Sequence, residues 1–165
     1  MSRTQFTGKG KLFWVADPTG AGTVVTLNAP TAVQVNTGVD ITKFLRRDGL
    51  KRPQTGNVMD TSDAASLRNS TDLGTFGGDK GQLKLYRDNA SGNDTAWPLF
   101  AQGKRGFLIV LPHGIAGASP AAGDRCEVYQ CAVPARSMDD IAENAATTFT
   151  VDLAFQAVND DATLV

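Results

Sequence analysis

The sequence predicts a mainly β protein with one α-helix packed against a sheet. Short apolar segments alternate with Gly, Asn, Asp and Pro, which is typical of strands joined by turns. The clearest alternation of apolar and polar residues has a period of two, and only one segment has well-marked helical spacing. At 165 residues the chain can bury roughly two-thirds of its surface on folding, so we expect residues 1–165 to form a single domain.

The first strands are predicted before residue 46. Residues 11–16, KLFWVA, and residues 23–28, TVVTLN, flank the turn-like sequence DPTGAG. Residues 31–35, TAVQV, can continue the sheet, and residues 39–45, VDITKFL, follow them. We therefore expect a run of short strands in this part of the chain.

Residues 74–89, GTFGGDKGQLKLYRDN, raise the question of a phosphate-binding loop, because four glycines and a lysine lie close together. Such a loop has to open a helix, whose N-terminal N–H groups and dipole bind the anion. Here Leu83 and Leu85 alternate with polar residues, which predicts a strand over residues 81–86 with one buried face. The glycines are interpreted as a sharp bend or bulge before that strand.

The helix is predicted in residues 94–103, DTAWPLFAQG. Leu99 and Phe100 follow Ala96 at a spacing that lets them lie against a sheet. Pro98 has to lie in the first turn, because deeper in the helix it would remove a hydrogen bond and clash with the preceding turn. A cap is therefore expected from the polar residues at the start of the segment.

The strongest strand signals lie in the second half of the chain. Residues 107–111, FLIVL, are apolar at every position, which predicts a strand covered on both faces. If residues 125–133, RCEVYQCAV, are extended, Cys126 and Cys131 lie roughly 16 Å apart and are free thiols. In residues 147–158, TTFTVDLAFQAV, large apolar residues alternate with polar ones. The apolar positions are Phe149, Val151, Leu153 and Phe155, and the polar positions are Thr148, Thr150, Asp152 and Gln156.

The sequence contains no recognisable constellation of catalytic or metal-binding residues. The single histidine, His113, lies in a loop-like segment without a metal-ligand pattern nearby. Asp139, Asp140 and Glu143 are interpreted as residues near the start of a helical turn after Ser137, where carboxylates interact favourably with the helix dipole. We therefore expect no enzyme activity, no metal and no cofactor.

Charge and hydropathy argue against a nucleic-acid-binding domain and against a membrane-spanning protein. The formal net charge of −1 does not fit a nucleic-acid-binding domain with a strong positive field, and no apolar run of about 18 residues could span a membrane. The charge is uneven, however: residues 1–90 carry 12 basic and 8 acidic side chains, and residues 91–165 carry 4 and 9. The basic cluster KFLRRDGLKR, residues 43–52, is interpreted as a solvated loop or a protein-contact surface.

Six short motifs are informative because of their order. They are GVDITKFLRRDGL, GTFGGDKGQLKLYRDN, NDTAWPLF, RGFLIVLP, AAGDRCEVYQCAV and IAENAATTFTVDLAFQ. This succession resembles the major tail tube protein of long, non-contractile-tailed bacteriophages (the siphophage tail tube family). The resemblance covers about residues 23–158, and it assigns no role to the N-terminal segment, residues 1–22.

The resemblance implies a β-sandwich or barrel-like tail tube fold with one flanking helix, about residues 94–103, and a long loop, about residues 43–78. It also implies a structural virion protein whose subunits form stacked hexameric rings around a tape-measure protein. Such a tube is assembled in the host cytoplasm and meets tail terminator and distal tail proteins at its ends. DNA passes through the lumen without specific binding, and no membrane is involved.

Three sets of candidate site residues follow. Stacked rings meet through two different surfaces, so opposite charges at the two ends favour head-to-tail growth. A lumen that conducts DNA should be neutral or acidic, because cations would bind phosphates. The candidate ring-stacking loop contains Lys43, Arg46, Arg47, Lys51 and Arg52, and its candidate acidic partners are Asp139, Asp140, Glu143, Asp160 and Asp161. The candidate lumen-facing residues are Thr148, Thr150, Asp152 and Gln156.

A β-sandwich carbohydrate-binding or adhesion module is the alternative interpretation. Such a module needs exposed aromatic side chains on one face. Trp14, Tyr86, Trp97 and Tyr129 are the candidates, although their positions in the predicted strands and helix favour roles in the core.

Overall fold

The computed structural model describes residues 10–52, 58–60, 71–73, 80–87, 94–115, 117–139 and 146–165. The described elements are mainly strands, and the helices are short. In chain order they are β1 Lys11–Ala16, α1 Ala32–Asn36, β2 Val39–Asp40, a 3₁₀ turn Thr42–Phe44, β3 Leu45–Lys51, β4 Val58–Asp60, β5 Thr71–Leu73, β6 Lys80–Tyr86, α2 Ala96–Leu99, β7 Arg105–Leu111, β8 Arg125–Met138 and β9 Thr148–Thr163.

Seven of these strands form one antiparallel sheet in the order β2-β1-β7-β8-β9-β6-β3, while β4 pairs only with β5. The large sheet curls into a half-barrel, so that residues of β1 and β6 share one core although three strands lie between them in the sheet. The predicted mainly β, barrel-like fold is therefore confirmed.

The two longest strands, β8 and β9, allow the sheet to curl. Their pairing shifts register at three places, and at one of them Gln156 is an extra residue of β9, between Phe155 opposite Cys131 and Ala157 opposite Gln130. Such bulges bend a strand and increase its twist. The two strands can therefore belong to both halves of the curled sheet.

The two faces of the sheet have separate cores. Among the described residues, the inner core extends over all the long strands, whereas the outer core covers β1, β7, the start of β8 and the end of β9. Strand β7 contributes to both cores, which confirms that residues 107–111 are covered on both sides. Inner-core residues include Leu12, Trp14, Leu83, Leu85, Leu108, Tyr129, Phe149, Val151 and Leu153, and outer-core residues include Phe13, Val15, Val25, Val35, Phe107, Ile109, Val128 and Leu164.

The prediction of strands at residues 23–28 and 31–35 is wrong. No strand lies at residues 23–28, and Thr31 is the cap of helix α1. The helix starts with a capping box, in which the Thr31 hydroxyl accepts a hydrogen bond from Gln34 N and the Gln34 side chain accepts one from Thr31 N. This reciprocal cap satisfies two N–H groups that a short helix leaves free, and it outweighs the strand preference of the valines.

The basic segment 43–52 is not a loop either. After the 3₁₀ turn it forms β3, the edge strand that pairs with β6, and the predicted long loop of residues 43–78 also contains β4 and β5. The pairing of β3 is irregular between Leu45 and Leu50. Gly49 lies within this irregularity, where an added Cβ would come within 2.4 Å of the Lys84 carbonyl oxygen.

The flanking helix is present but shorter than residues 94–103. Helix α2 ends at Leu99, and Asp94 Oδ1 caps it by accepting a hydrogen bond from Trp97 N at 3.2 Å. The guanidinium groups of Arg87 and Arg136 lie 4.9 and 3.9 Å from the centroid of the Trp97 ring, which also packs edge-on against Phe149. These contacts hold a four-residue helix that could not be stable alone.

Candidate functional site

One half of the outer sheet face is polar and has no covering core among the described residues. It is formed by β3, β6, the first half of β9 and the last residues of β8, whose alternate side chains point into the inner core. We call the other side of these strands the polar face. Its residues on the sheet are Lys51, Lys80, Gln82, Lys84, Tyr86, Ala135, Ser137, Thr148, Thr150, Asp152 and Ala154.

Strand register arranges this polar face in rows. Lys51 of β3 lies opposite Gln82 of β6, which lies opposite Asp152 of β9. In the next row Lys84 lies opposite Thr150, and Thr150 lies opposite Ser137 of β8. Directly opposed residues on antiparallel strands have their side chains on the same face, so each row brings charged and polar groups together. In the first row Gln82 Nε2 donates a hydrogen bond of 3.1 Å to Asp152 Oδ1.

Asp139 follows β8 and lies at the edge of this face. Its two carboxylate oxygens accept hydrogen bonds from the hydroxyls of Thr148, at 2.7 Å, and Thr150, at 2.8 Å. The Thr148 bond is the largest cause that lowers the pKa of Asp139; Thr150, Lys84 and Arg46 lower it further, and burial opposes them. The carboxylate is therefore ionised at neutral pH. It lines a shallow groove together with Arg46, Lys84, Tyr86 and Thr148.

This position differs from the predicted one. The sequence predicts Asp139 beside a helix N-terminus, but its side chain bonds across to β9. Asp140 and Glu143 lie outside the described residues.

The four candidate lumen-facing residues lie on or beside the polar face. Thr148, Thr150 and Asp152 are half-buried members of the rows, and Gln156 is exposed at the bulge in β9. None of the four is packed in either core.

The candidate ring-stacking residues do not share one surface environment. Arg46 pairs with Asp48 at 3.2 Å and lies near Asp139, Lys51 belongs to the polar face, and Lys43 and Arg47 are exposed. Arg52 belongs to a polar network that involves β8. Among the described residues, Lys43 and Arg47 are therefore the two members of the set that have neither an ion pair nor a place on the polar face.

The remaining acidic candidates lie far along β9 from Asp139. Asp160 and Asp161 are exposed at a second bulge of β9, where the strand nears its end. Asp161 is 4.0 Å from Arg125, and both side chains are largely exposed, so this pair contributes little to stability. The fold thus places Asp139 beside the cation Arg46 of the same chain and leaves Asp160 and Asp161 at a separate surface.

Arg52, Glu127 and Tyr129 form a polar network that sequence reasoning missed. Arg52 Nη1 donates to Glu127 Oε1 at 3.0 Å, and the Tyr129 hydroxyl donates to Glu127 Oε2 at 2.8 Å. Burial and the Glu127 carboxylate raise the pKa of Tyr129, so the phenol stays protonated and can donate. Arg52 and Glu127 are 75 positions apart in the sequence, so no local pattern could have indicated that they bind each other.

The described residues contain little that could perform chemistry. No group of three or more potential metal ligands occurs among them. Cys126 and Cys131 are free thiols on strand β8, as predicted, and the structure shows that both are buried. Burial raises their pKa values to about 11 and about 12, which makes them poor nucleophiles. None of the helices described is long and apolar enough to cross a bilayer.

The aromatic residues do not form an exposed binding surface in the described part of the chain. Trp14 and Tyr129 are buried, Trp97 is half-buried and contacts the guanidinium groups of two arginines, and of the four candidates only Tyr86 is exposed, at 37%. The arrangement does not favour the carbohydrate-binding alternative, because stacking on sugars requires accessible ring faces.

Comparisons with known proteins are consistent with this geometry. The sequence profile of the family described as "Phage tail tube protein" matches residues 1–165, including the N-terminal segment that the resemblance did not cover. A search of curated proteins found no match. Among solved structures, a chain of the "Cryo-EM structure of the anti-feeding prophage (AFP) baseplate, 6-fold symmetrised" has a TM-score of 0.58 and 14% identity, with 96% of each chain covered. At this identity the likeness supports the fold.

Proposed function

Because the chain belongs to the phage tail tube family, we propose that it forms hexameric rings that stack into the tube of a non-contractile phage tail. The observation that carries the proposal is the family match over the whole chain. The structural neighbour comes from an assembly described as six-fold symmetrised, which supports six copies in a ring. Residues 1–165 act in this proposal as one structural domain without catalysis.

The polar face is the part of the subunit that we assign to the tube lumen. A lumen wall needs a surface that remains hydrated after assembly, and apolar side chains do not provide one. The polar face meets this requirement, since its rows contain Thr150, Asp152 and Gln82 and no large aliphatic residue. The outer core, by contrast, leaves no comparable polar surface on β1 and β7.

The partners in this proposal are those that the tail tube family implies. The tube surrounds a tape-measure protein during assembly in the host cytoplasm, and tail terminator and distal tail proteins close its two ends. During ejection, DNA passes through the lumen without sequence-specific contacts. Stacking between rings uses opposite charges at the two ends of the subunit.

Negative-stain electron microscopy of the purified protein tests the proposal. We expect rings, or tubes of uniform width, at high protein concentration. Analytical ultracentrifugation of the same sample should show multiples of six subunits. A protein that stays monomeric over the whole concentration and salt range would contradict the proposal.

The lumen assignment has its own test in Thr150→Lys. Thr150 is half-buried beside Lys84 on the polar face, and a further cation there would bind phosphates and retard DNA. We expect folded subunits and complete tubes but slower DNA ejection from particles that carry the variant. Thr150→Ser is the control, because it keeps the hydroxyl that binds Asp139. Normal ejection by the lysine variant would show that this face does not line the channel.

A further inference from the structure

The polar face carries more cations than a DNA channel can tolerate unless they are compensated. Lys51, Lys80 and Lys84 lie on its rows, and Arg46 borders its groove. A cation that contacts phosphate releases counterions, so a row of free lysines would hold the strand that passes. The carboxylates near these cations therefore determine how strongly the polar face binds DNA.

Among the residues that the structure describes, three carboxylates lie near these cations, and they are not equivalent. Asp48 pairs with Arg46, but its side chain is 74% exposed, and such a pair is worth little in water. Asp152 accepts one hydrogen bond, from Gln82 in the row that contains Lys51. Asp139 is held by two hydroxyls, and its backbone N–H also donates to the Thr148 carbonyl oxygen at 3.1 Å.

The hydroxyls place the Asp139 charge at one end of the cation set, beside Lys84 and Arg46. Thr150, which binds one carboxylate oxygen, lies directly opposite Lys84 on the neighbouring strand. Arg46 borders the same groove from the edge strand. A fixed carboxylate so placed interacts with both cations at once, whereas a mobile one would lose side-chain entropy with each interaction.

We propose that Asp139 is the charge-compensating residue of the polar face, which keeps Lys84 and Arg46 from binding the phosphates of DNA in the lumen. Thr148 and Thr150 are its positioning residues, since they act through the carboxylate that they orient. The inference rests on the proposed function, because it assigns this face to a DNA channel. Repeated six times in each ring, the compensation lowers the positive charge of the wall at Lys84 and Arg46.

The test compares DNA binding by Asp139→Asn and wild type. The probe is a fluorescently labelled duplex of about 20 base pairs, titrated with assembled tubes and with unassembled subunits over a salt series. We expect D139N to bind more tightly at low salt, with a salt slope steeper by about 0.9 for each additional phosphate that the protein neutralises. Each such phosphate adds roughly a 3.5-fold loss of affinity between about 50 and 200 mM salt.

Two further variants make the result specific. Asp124→Asn changes the net charge equally, but Asp124 lies in the turn before β8, and its hydrogen bond to Ala121 N can be kept by asparagine. We expect it to bind DNA like wild type. Adding Lys84→Gln to D139N should reverse much of the gain in binding, because it removes one of the two cations that the first change uncovers.

The outcomes separate this inference from the proposed function. Equal DNA binding by D139N and D124N, in subunits whose melting curves show that they are folded, would overturn the role of Asp139. A wild-type protein that never forms rings or tubes would contradict the proposed function, whatever the DNA measurements on subunits show.

Discussion

Gly81 illustrates how single residues determine the close packing of the curled sheet. It lies on β6 opposite Leu153, and an added Cβ would come within 2.2 Å of Phe155 Cε2 and 2.9 Å of the Lys51 carbonyl oxygen. From the sequence alone, this glycine is assigned to a bend or bulge. Its place in the fold is instead a close approach between a backbone and an aromatic ring.

We therefore expect Gly81→Ala to lower the free energy of unfolding by about 1–3 kcal/mol, because Phe155 is nearly fully buried and has to move. Chemical denaturation followed by tryptophan fluorescence measures the effect. Gly117→Ala is the matched control, since no atom lies within 4 Å of its added Cβ. Equal denaturation midpoints for the two variants would contradict this account of Gly81.

Asp17 makes folding depend on pH. Its side chain is buried, which by itself would raise the pKa, but hydrogen bonds from Gly22 N, Thr19 Oγ1 and Gly20 N outweigh burial and lower it. A carboxyl whose pKa is lowered by folding adds stability above its unfolded pKa, which is near 3.8, and this stability is lost as the pH falls through the folded value.

We expect the unfolding free energy of the wild type to decrease below about pH 4 for this reason. Asp17→Asn should be less stable at pH 7 and should have a weaker dependence on acid. Part of the dependence will remain, because Asp40 and Asp139 also have lowered pKa values. Thermal melting from about pH 2.5 to 7 checks this, and parallel pH profiles for the two proteins would refute it.

At the scale of elements, helix α1 depends on its cap more than on its residues. It has five residues, two of them valine, and Val33 is 74% exposed. A helix this short gains little from propensity. The Thr31–Gln34 capping box and the bond from Ala32 N to the Val165 carbonyl oxygen hold it in place.

Thr31→Ala should therefore cost about 1 kcal/mol of stability, since it leaves Gln34 N without its partner. Thr31→Ser keeps the hydroxyl and should be close to wild type. Equilibrium unfolding in urea compares the three proteins. If serine and alanine have the same effect, the hydroxyl is not what stabilises the helix.

At the scale of the whole molecule, the charges that remain free for contacts between copies are fewer than the sequence indicated. Arg46 and Arg52 have partners within the chain, Asp48 and Glu127. Lys43 and Arg47 are exposed near the edge strand, and Asp160 and Asp161 are exposed near the end of β9. Asp161 lies 4.0 Å from Arg125, but both side chains are largely exposed, so this contact is weak. Among the described residues, Lys43 with Arg47 and Asp160 with Asp161 are the two groups best suited to join successive rings.

We expect the double variant Lys43→Glu with Arg47→Glu to melt like wild type but to form short tubes or single rings. One exposed ion pair contributes only about 0.2–1 kcal/mol, but six copies act at every ring junction. Adding Asp160→Lys and Asp161→Lys should restore long tubes, because the charges are then exchanged. Tube length in electron micrographs over a salt series is the measurement, and full-length tubes of the first variant at every salt concentration would exclude these contacts.

Local patterns in the sequence were enough for the strands with regular alternation. Strands β6 and β9 alternate between apolar and polar residues because one face of each is buried, and β7 is continuously apolar because both of its faces are buried. Such patterns of apolar residues can be recognised within a few residues of sequence. The polar side of β9, and with it part of the candidate site, was visible for the same reason. The start of α1 was also marked, since T-x-x-Q is a capping-box signature, but the valines suggested a strand.

Only the tertiary structure decided which distant groups meet. The sequence placed Asp139 with Asp140 and Glu143 at a helix start, whereas strand pairing puts it beside Thr148, Thr150 and the cations of β3 and β6. The Arg52–Glu127 pair likewise depends on the curvature that the β8–β9 bulges introduce. The physical reason is that the periodicity of a sequence indicates only whether each residue is buried. Register and curvature bring side chains from separate strands together, and both arise from the packing of the whole sheet.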